Sequence, residues 1–242
     1  MAYTLKLNVA NRSNFGAMRA TTAIKYIVIH YTANDGDTDE NNGNYFKNNI
    51  VKASAHYFVD DDSVTQSVYD NYIAYSVGGN KYSNTGVTGG GKFYGKCTNR
   101  NSISIELCDD VRNGVIYPSA QTIANAVELT KRLMVKYNIP ASNVIRHFDV
   151  TGKACPAYWS GSSANNAKWK SEFLDKLTTA RDETFKVRVT ITDLNIRKGA
   201  GTIYAKVGVI APGVYTIVET VGSWGRLKSG AGWININYTE RV

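Results

Sequence analysis

Ser102-Ile-Ser-Ile-Glu-Leu-Cys108 is the stretch that best indicates how this chain folds. The run alternates small or polar residues with aliphatic ones. In a β-strand, successive side chains point to opposite faces, so the aliphatic residues share one face and Ser104, Glu106 and Cys108 share the other. The pattern predicts a central strand of a sheet, with Glu106 on its polar face.

Short runs of β-branched and aromatic residues elsewhere predict further strands of the same sheet. These runs are Lys25–His30, Ser54–Val59, Val64–Val68 and Val144–Ile145. Helical spacing and capping residues predict helices over Asp39–Asn49, from Ser119 to just before Pro140, and over Ala167–Thr178. Helices interspersed with strands predict an α/β domain whose mixed central sheet is flanked by helices.

The pattern changes after Phe185, where short β-type runs are separated by glycine and other turn residues. We predict strands at Val187–Ile191, Leu194–Ile196, Val207–Ile210, Val214–Glu219, Gly225–Leu227 and Gly232–Ile236. Six short strands in fewer than 60 residues suffice for a small all-β barrel. The predicted organisation is one domain over residues 1–178, a linker over 179–184 and a second domain over 185–242.

The net charge of +8 points to acidic partners. Eight lysines and arginines against three acidic residues give the segment 185–242 a charge of +5. Nucleic acid, acidic lipid and anionic cell-wall polymers would all be attracted to such a surface, and charge alone does not choose among them. The sequence contains no basic helix and no RNA-binding motif, so we expect no nucleic-acid partner.

No segment approaches the roughly 18 apolar residues of a membrane-spanning helix. The first residues also lack the basic and apolar regions of a signal peptide, so we expect neither membrane insertion nor secretion by a leader. Three cysteines are too few for a disulfide framework, and an odd number leaves at least one free thiol or metal ligand. Cys97 and Cys108 could pair or stay separate.

His30 ends one predicted strand, and His147, Lys153 and Cys155 lie together in a short run further along the chain. Two histidines and one cysteine are a ligand set of the kind that catalytic zinc uses, with a fourth position left for water. Two other interpretations stay open. His147 could be a hydrogen-bonded surface residue and Cys155 a small buried hydrophobe, or the two could be a cysteine peptidase pair.

Four ordered segments carry a resemblance to a known family: Ile27-Val-Ile-His-Tyr-Thr32, Ser54-Ala-His-Tyr-Phe58, Asn101-Ser-Ile-Ser-Ile-Glu-Leu107 and His147-Phe-Asp-Val-Thr-Gly-Lys-Ala-Cys-Pro156. They resemble the type 2 N-acetylmuramoyl-L-alanine amidases, the zinc amidases of phage endolysins, bacterial autolysins and peptidoglycan recognition proteins. The resemblance implies the fold of these amidases, with zinc held by His30, His147 and Cys155. It also implies hydrolysis of the amide between N-acetylmuramic acid and the L-alanine of the peptidoglycan stem peptide.

Glu106 and Lys153 would stand beside the metal in such an enzyme. Glu106 would take a proton as water attacks the amide and return it to the leaving amine, while Lys153 would stabilise the oxyanion. The alternatives are a salt-bridged strand carboxylate and a solvated lysine. We also predict substrate contacts for Asn101 and for His56, although His56 could instead orient a ligand or be an ordinary strand histidine. Some family members have a tyrosine immediately before the position of His56, where this chain has Ala55, so a role for that tyrosine does not transfer.

The glycine-rich, polar stretch 80–96 predicts a functional loop at the rim of the cleft. Further along, the segments Leu194-Asn-Ile-Arg-Lys-Gly-Ala-Gly-Thr202, Gly222-Ser-Trp-Gly-Arg-Leu227 and Gly232-Trp-Ile234 resemble a bacterial SH3-like domain. This resemblance implies a cell-wall-binding module. Four aromatic residues of the segment are candidates either for its core or for contacts with wall peptide or anionic polymer: Tyr204, Tyr215, Trp224 and Trp233.

The two resemblances together imply a lytic enzyme that acts on peptidoglycan, with Gram-positive walls as the expected target. Because no leader is apparent, we expect an enzyme of the phage or prophage endolysin type, held in the cytoplasm until the membrane is opened. A reducing cytoplasm would keep Cys155 able to bind zinc. A non-catalytic peptidoglycan-binding protein of the same fold is the alternative.

Overall fold

The computed structural model describes residues 3–79, 90–178, 184–221 and 223–242 of the chain. The chain divides into two compact units, one of Met1–Thr130 with Ile139–Lys176, the other of Lys131–Asn138 with Leu177–Val242. Most of the predicted linker lies outside the described residues, so the domain limits drawn from the sequence stay a prediction.

The first unit is built on a six-stranded mixed sheet with the strand order β1-β5-β4-β7-β3-β8. Its strands are β1 (Thr4–Leu7), β3 (Tyr26–Tyr31), β4 (Tyr57–Val59), β5 (Ser63–Gln66), β7 (Ser102–Leu107) and β8 (Val144–Arg146). A separate antiparallel pair consists of β2 (Phe15–Met18) and β6 (Tyr72–Ala74). The mixed central sheet is confirmed, and β1, β2 and β6 are strands that the sequence did not predict.

Strand β7 lies between β4 and β3 and is parallel to both. Its aliphatic side chains, Ile103, Ile105 and Leu107, are buried, as the alternating pattern predicted. Strand β3 also pairs in parallel with β8. The carboxyl ends of three neighbouring strands therefore meet at one edge of the sheet, where His30, Glu106 and His147 lie.

The α-helices are α1 (Asp39–Asn48), α2 (Ala120–Tyr137), α3 (His147–Thr151), α4 (Ser163–Trp169) and α5 (Asp175–Thr178). They belong to the first unit, except for the ends of α2 and α5, which are part of the second. Ser119 begins α2 as predicted, because its hydroxyl accepts a hydrogen bond from the Thr122 N–H at 3.0 Å. The predicted helix over 167–178 is interrupted and starts earlier. Ser162 caps α4, and a π-helical stretch, Lys170–Leu174, separates α4 from α5.

The second unit contains a seven-stranded antiparallel sheet with the order β11-β10-β14-β13-β12-β9-β15. Its strands are β9 (Phe185–Val189), β10 (Leu194–Arg197), β11 (Lys206–Ile210), β12 (Gly213–Val221), β13 (Trp224–Leu227), β14 (Trp233–Asn235) and β15 (Thr239–Arg241). All six predicted strands are present, and β15 is additional. Alternate residues form its core: Val187, Val189, Leu194, Ile210, Ile217, Leu227 and Ile234. The sheet agrees with the expected all-β domain, whereas its SH3-like identity stays a prediction.

All three cysteines are buried and free, so Cys97 and Cys108 do not pair. No helix within the described ranges is both long enough and apolar enough to cross a membrane.

Candidate metal and catalytic site

His30 and Glu106 face each other across the central strands, because they are direct partners in the parallel pairing of β3 with β7. The His30 Nδ1 atom lies 3.8 Å from Glu106 Oε1. Both residues stand near the carboxyl ends of their strands, where the sheet gives way to loops. Two rigid strands thus fix the distance between a candidate metal ligand and a candidate base.

A short helical turn after β8 supplies the other two candidate ligands. His147 is the first residue of α3, and Gly152 ends that helix in a left-handed conformation with φ 76°. The chain then folds back, and the Phe148 N–H donates to the Cys155 carbonyl oxygen at 3.0 Å. This turn places His147 and Cys155 on the same side, beside His30.

The structure brings His30, His147 and Cys155 into one buried cluster, with ligand atoms all within 4.8 Å of one another. Cys155 Sγ lies 3.7 Å from His30 Nδ1, and the two imidazole rings have centroids 4.8 Å apart. The three residues are 2%, 7% and 3% exposed, respectively. His30, more than 100 positions before the other two in the sequence, therefore joins His147 and Cys155 in a compact set of nitrogen and sulfur donors.

Two nitrogen atoms of this cluster, His30 Nε2 and His147 Nδ1, are buried and have no hydrogen-bond partner in the described part of the chain. A buried polar atom without a partner is costly to stability, so native proteins rarely retain one without a reason. A cation bound at the cluster would give His147 Nδ1 a partner. Imidazole and thiolate ligands suit transition metals rather than magnesium or calcium. The cluster is thus a candidate transition-metal site.

The electrostatics of the cluster favour ligands that bear free lone pairs. Burial lowers the pKa of His30 well below its usual value, and the nearby His147 and Lys153 lower it further. Burial and Lys153 also lower the pKa of His147 to about 4, so both rings are neutral at pH 7. Burial raises the pKa of the Cys155 thiol. Metal binding would have to displace its proton, as metals do with coordinating thiols.

Glu106 completes the site as a largely buried carboxyl group. Its Oε2 atom has no hydrogen-bond partner among the described residues. Burial raises the pKa of Glu106 to about 8, with Lys153 opposing this shift and Asp37 adding to it. Lys153 is exposed on the loop between α3 and Cys155, close enough for its charge to act on Glu106. The predicted base and the predicted cation thus lie beside the cluster.

The two predicted substrate contacts have other bonding partners in the free protein. His56 is fully buried: its Nδ1 accepts a hydrogen bond from the Ser104 N–H at 3.0 Å, and its Nε2 lies 3.1 Å from the Tyr72 carbonyl oxygen. Asn101 donates to the Lys96 carbonyl oxygen at 2.9 Å. Neither side chain joins the metal cluster, and their substrate contacts stay predictions.

The predicted rim loop 80–96 is described only from Gly90 onward, and residues 80–89 lie outside the described part of the chain. The described end packs against α3. The N–H of Gly91 donates to the Phe148 carbonyl oxygen at 3.0 Å, and that of Phe93 donates to the Asp149 carbonyl oxygen at 2.9 Å. At Gly90, a Cβ atom would come within 2.7 Å of the Gly152 backbone. This close approach requires glycine and ties the loop to the turn that carries His147.

Sequence reasoning missed Tyr158, three residues after Cys155. The Tyr158 hydroxyl is buried and has no hydrogen-bond partner in the described structure. Its ring stands edge-on to Tyr31, with centroids 5.5 Å apart, and lies 4.7 Å from the ring of Tyr117. The only available signal was an aromatic residue just after the cysteine motif, which equally suits a core position. Three tyrosine rings that pack against one another thus lie beside the cluster.

Comparison with known proteins bears directly on this site. A sequence model described as N-acetylmuramoyl-L-alanine amidase matches residues 20–158. The amidase CwlL of Bacillus licheniformis is 30% identical over 188 residues, which are 76% of this chain and 49% of the relative. The amidase CwlA of Bacillus subtilis is 32% identical over 158 residues, with coverages of 64% and 52%. The chain thus spans about half the length of these curated relatives.

A solved structure shows the same fold. A mutant endolysin from Bacillus subtilis aligns with a TM-score of 0.56 and 28% identity, covering 72% of this chain and 99% of that one. The region matched by the family includes all three candidate ligands together with Glu106 and Lys153. From sequence and fold together, the chain belongs to the N-acetylmuramoyl-L-alanine amidase family.

Proposed function

We propose that this protein hydrolyses the amide bond between N-acetylmuramic acid and the L-alanine of the peptidoglycan stem peptide. One observation carries the proposal: His30, His147 and Cys155 converge in a buried cluster directly beside Glu106, and two of its nitrogen atoms have no hydrogen-bond partner among the residues that the structure describes. The cluster lies within the part of the chain that matches the amidase family. Hydrolysis of an amide needs an activated water and a polarised carbonyl group, and this arrangement suits both.

Zinc is the metal that we propose for the cluster. Two imidazoles and one thiolate are a known catalytic zinc ligand set, which leaves a fourth position open. When bound, zinc lowers the pKa of water and polarises the carbonyl oxygen of the substrate. His30 and His147 would bind it as neutral rings, in the protonation state that their lowered pKa values favour.

Glu106 is our proposed general base and acid. Its carboxyl group is held on a central strand, and its Oε2 atom is free of partners within the described chain. Burial raises its pKa to about 8, so it would act as a base once the positive charge of a bound cation lowers that pKa. The carboxylate would then remove a proton from the attacking water and deliver that proton to the nitrogen of the leaving L-alanine, so that the peptide departs as a neutral amine. The ammonium group of Lys153 would stabilise the negative charge that develops on the carbonyl oxygen.

A cysteine peptidase that uses Cys155 finds no support in this geometry. A nucleophilic cysteine needs a lowered thiol pKa. Burial raises the pKa of Cys155 instead, and the pKa values of the neighbouring His30 and His147 are lowered, so both rings are weak bases for the thiol. Metal ligation accounts for the same residues without requiring a reactive thiol.

Gram-positive peptidoglycan is the substrate that we propose, since the curated relatives are amidases of Bacillus. For the second unit we propose attachment to the wall, which its excess of basic residues would favour. Attachment would hold the first unit close to an insoluble substrate and so raise the effective substrate concentration.

The test is mass spectrometry of the soluble products released from purified Gram-positive peptidoglycan. The proposal expects free stem peptides with a new L-alanine amino terminus and intact glycan strands. Shortened stem peptides would identify a peptidase, and no release would identify a binding protein. Glu106→Gln is the matched control, because it keeps the shape of the side chain and should retain bound zinc while losing product release.

A further inference from the structure

Basic residues lie on both sides of a tryptophan on the outer face of the second unit's sheet. Alternation along β13 and β14 turns Leu227 and Ile234 into the core, so Arg226 and Trp233 face outward. Trp233 is directly opposite Arg226 on one side and Arg197 on the other. We call this set, with the exposed Lys206 that pairs with Arg197 across a β-bulge on β11, the basic row. Four neighbouring strands thus carry three cations and one indole side by side, with one carboxylate, Glu219 on β12, opposite Arg226.

Both arginines of the basic row are held in place. Arg197 Nη1 donates to the Thr202 carbonyl oxygen at 3.0 Å and to the Tyr204 carbonyl oxygen at 2.8 Å. Arg226 Nε donates to Glu219 Oε2 at 2.6 Å. A guanidinium group has five N–H donors, so each arginine keeps further donors for a ligand. Their fixed orientation reduces the entropy that binding would cost.

The aromatic part of the surface is larger than Trp233 alone. Trp224 and Arg226 are two residues apart on β13 and therefore share the outer face. Trp224 is directly opposite Asn235 on β14, which follows Trp233 by two residues on that same face. Both tryptophans are partly exposed. Indole rings pack against sugar and polyol carbons, and arginine pairs with phosphate through two parallel hydrogen bonds. The two chemistries together suit an anionic, phosphate-bearing glycopolymer.

We propose that the basic row is a binding site for the anionic glycopolymer of the bacterial wall. Arg197 and Arg226 contact its phosphate groups, and Trp233 contacts the carbon skeleton between them. The choice of a wall polymer rather than nucleic acid, which also offers phosphates and flat rings, rests on the proposed function. Binding itself does not depend on hydrolysis and is measured separately from it.

The same sheet provides a matched control surface. On β9, Lys186 and Arg188 also face outward, since Val187 and Val189 point into the core. Their cross-strand partners on β12 are Thr216 and Val214, not aromatic residues. Exchanging both cations for glutamate changes the net charge as much here as it does in the basic row.

The experiment measures sedimentation of the full chain with purified Gram-positive walls. Every protein carries Glu106→Gln, so that the walls stay intact. Lys206→Glu with Arg226→Glu should weaken binding at least about tenfold, equivalent to roughly 1.4 kcal/mol, whereas Lys186→Glu with Arg188→Glu should change it less than about threefold. Extraction of the anionic polymer with hydrofluoric acid should abolish the difference. The milder Arg226→Gln, checked by its melting temperature, separates lost binding from lost folding.

Three results would overturn the inference: equal losses for the two variant pairs, undiminished binding to extracted walls, or competition by duplex DNA as strong as that by purified wall polymer. The first would show binding by overall charge, and the last would make nucleic acid the partner. None of them affects the proposed amidase activity, which product release by the unaltered chain tests independently.

Discussion

Arg146 and Asp149 are joined by three hydrogen bonds at the start of α3. Arg146 Nη2 lies 2.7 Å from Asp149 Oδ1, and Nε lies 3.0 Å from Oδ2. The Arg146 N–H donates to the same Oδ2 at 2.8 Å. Arg146 also donates to the Trp159 carbonyl oxygen and to Asn166 Oδ1. Since His147 lies between the paired residues, this buried ion pair fixes the backbone that carries a candidate metal ligand.

Replacing Asp149 with asparagine should destabilise the first unit by about 3 kcal/mol, because the Arg146 guanidinium would be left buried without its counter-charge. Zinc affinity should also fall, by roughly tenfold or more, as it does when supports of metal ligands are lost. Urea unfolding and competition with a zinc chelator measure the two effects. Glu40→Gln, in the exposed pair of Lys6 with Glu40, is the control and should leave both values unchanged. Similar behaviour of the two variants would contradict this role.

Removal of the metal should lower both activity and stability. A ligand present at 100 times its dissociation constant stabilises the folded state by about 2.7 kcal/mol. We therefore expect a chelator to lower the melting temperature of the unaltered protein and zinc to restore it. Cys155→Ser should be insensitive to either treatment. Cys97→Ser, which alters another buried thiol outside the cluster, should keep the full response. A chelator-insensitive unaltered protein would rule out the proposed metal site.

The sequence predicted the parts of this molecule that follow from local pattern. The alternation in Ser102–Leu107 correctly placed the central strand and its buried face. The spacing of Ser119 and Pro140 correctly bounded α2. The donor chemistry of His30, His147 and Cys155 predicted a cluster that the fold does assemble, although only their resemblance to a family indicated that such distant residues would meet.

Features that depend on tertiary contacts escaped prediction. Strand β1 has mostly exposed side chains, and its parallel partner β5 lies some 60 residues away, so no local pattern identifies it. Helix α3 is only five residues long, and its first turn depends on the ion pair of Arg146 with Asp149 rather than on helix propensity. The unpartnered hydroxyl of Tyr158 is visible only once its surroundings are known.

Replacing Tyr158 with phenylalanine should stabilise the metal-free protein by about 1 kcal/mol, because the variant no longer buries a hydroxyl group for which the described residues offer no partner. The same substitution at Tyr117 should instead destabilise the protein. The Tyr117 hydroxyl donates to Glu172 Oε2, and losing a hydrogen bond to a carboxylate costs about 1.5 to 3 kcal/mol. Urea unfolding of the two variants is the measurement. A loss of stability in both would show that the Tyr158 hydroxyl has a partner in solution.

Asp39 should make the folded state less stable as pH rises, which is the direction opposite to that of a typical surface carboxylate. It is fully buried at the start of α1 and accepts hydrogen bonds from Ser63 Oγ at 3.0 Å and Thr65 Oγ1 at 2.7 Å. Burial raises its pKa from 3.8 to about 6, and the neighbouring Asp60 adds to this shift.

Between pH 4 and pH 6 the folded state therefore keeps a proton on Asp39 that the unfolded state has lost. A folded state that binds more protons loses stability as pH rises, so Asp39 favours folding below pH 4 and loses that contribution by about pH 6. Asp39→Asn lacks this titration. Relative to the unaltered protein, its urea midpoint should therefore improve from pH 4 to pH 7, whereas that of Glu40→Gln, altered at the next residue, should not. A constant difference between Asp39→Asn and the unaltered protein would mean that Asp39 titrates normally in the fold.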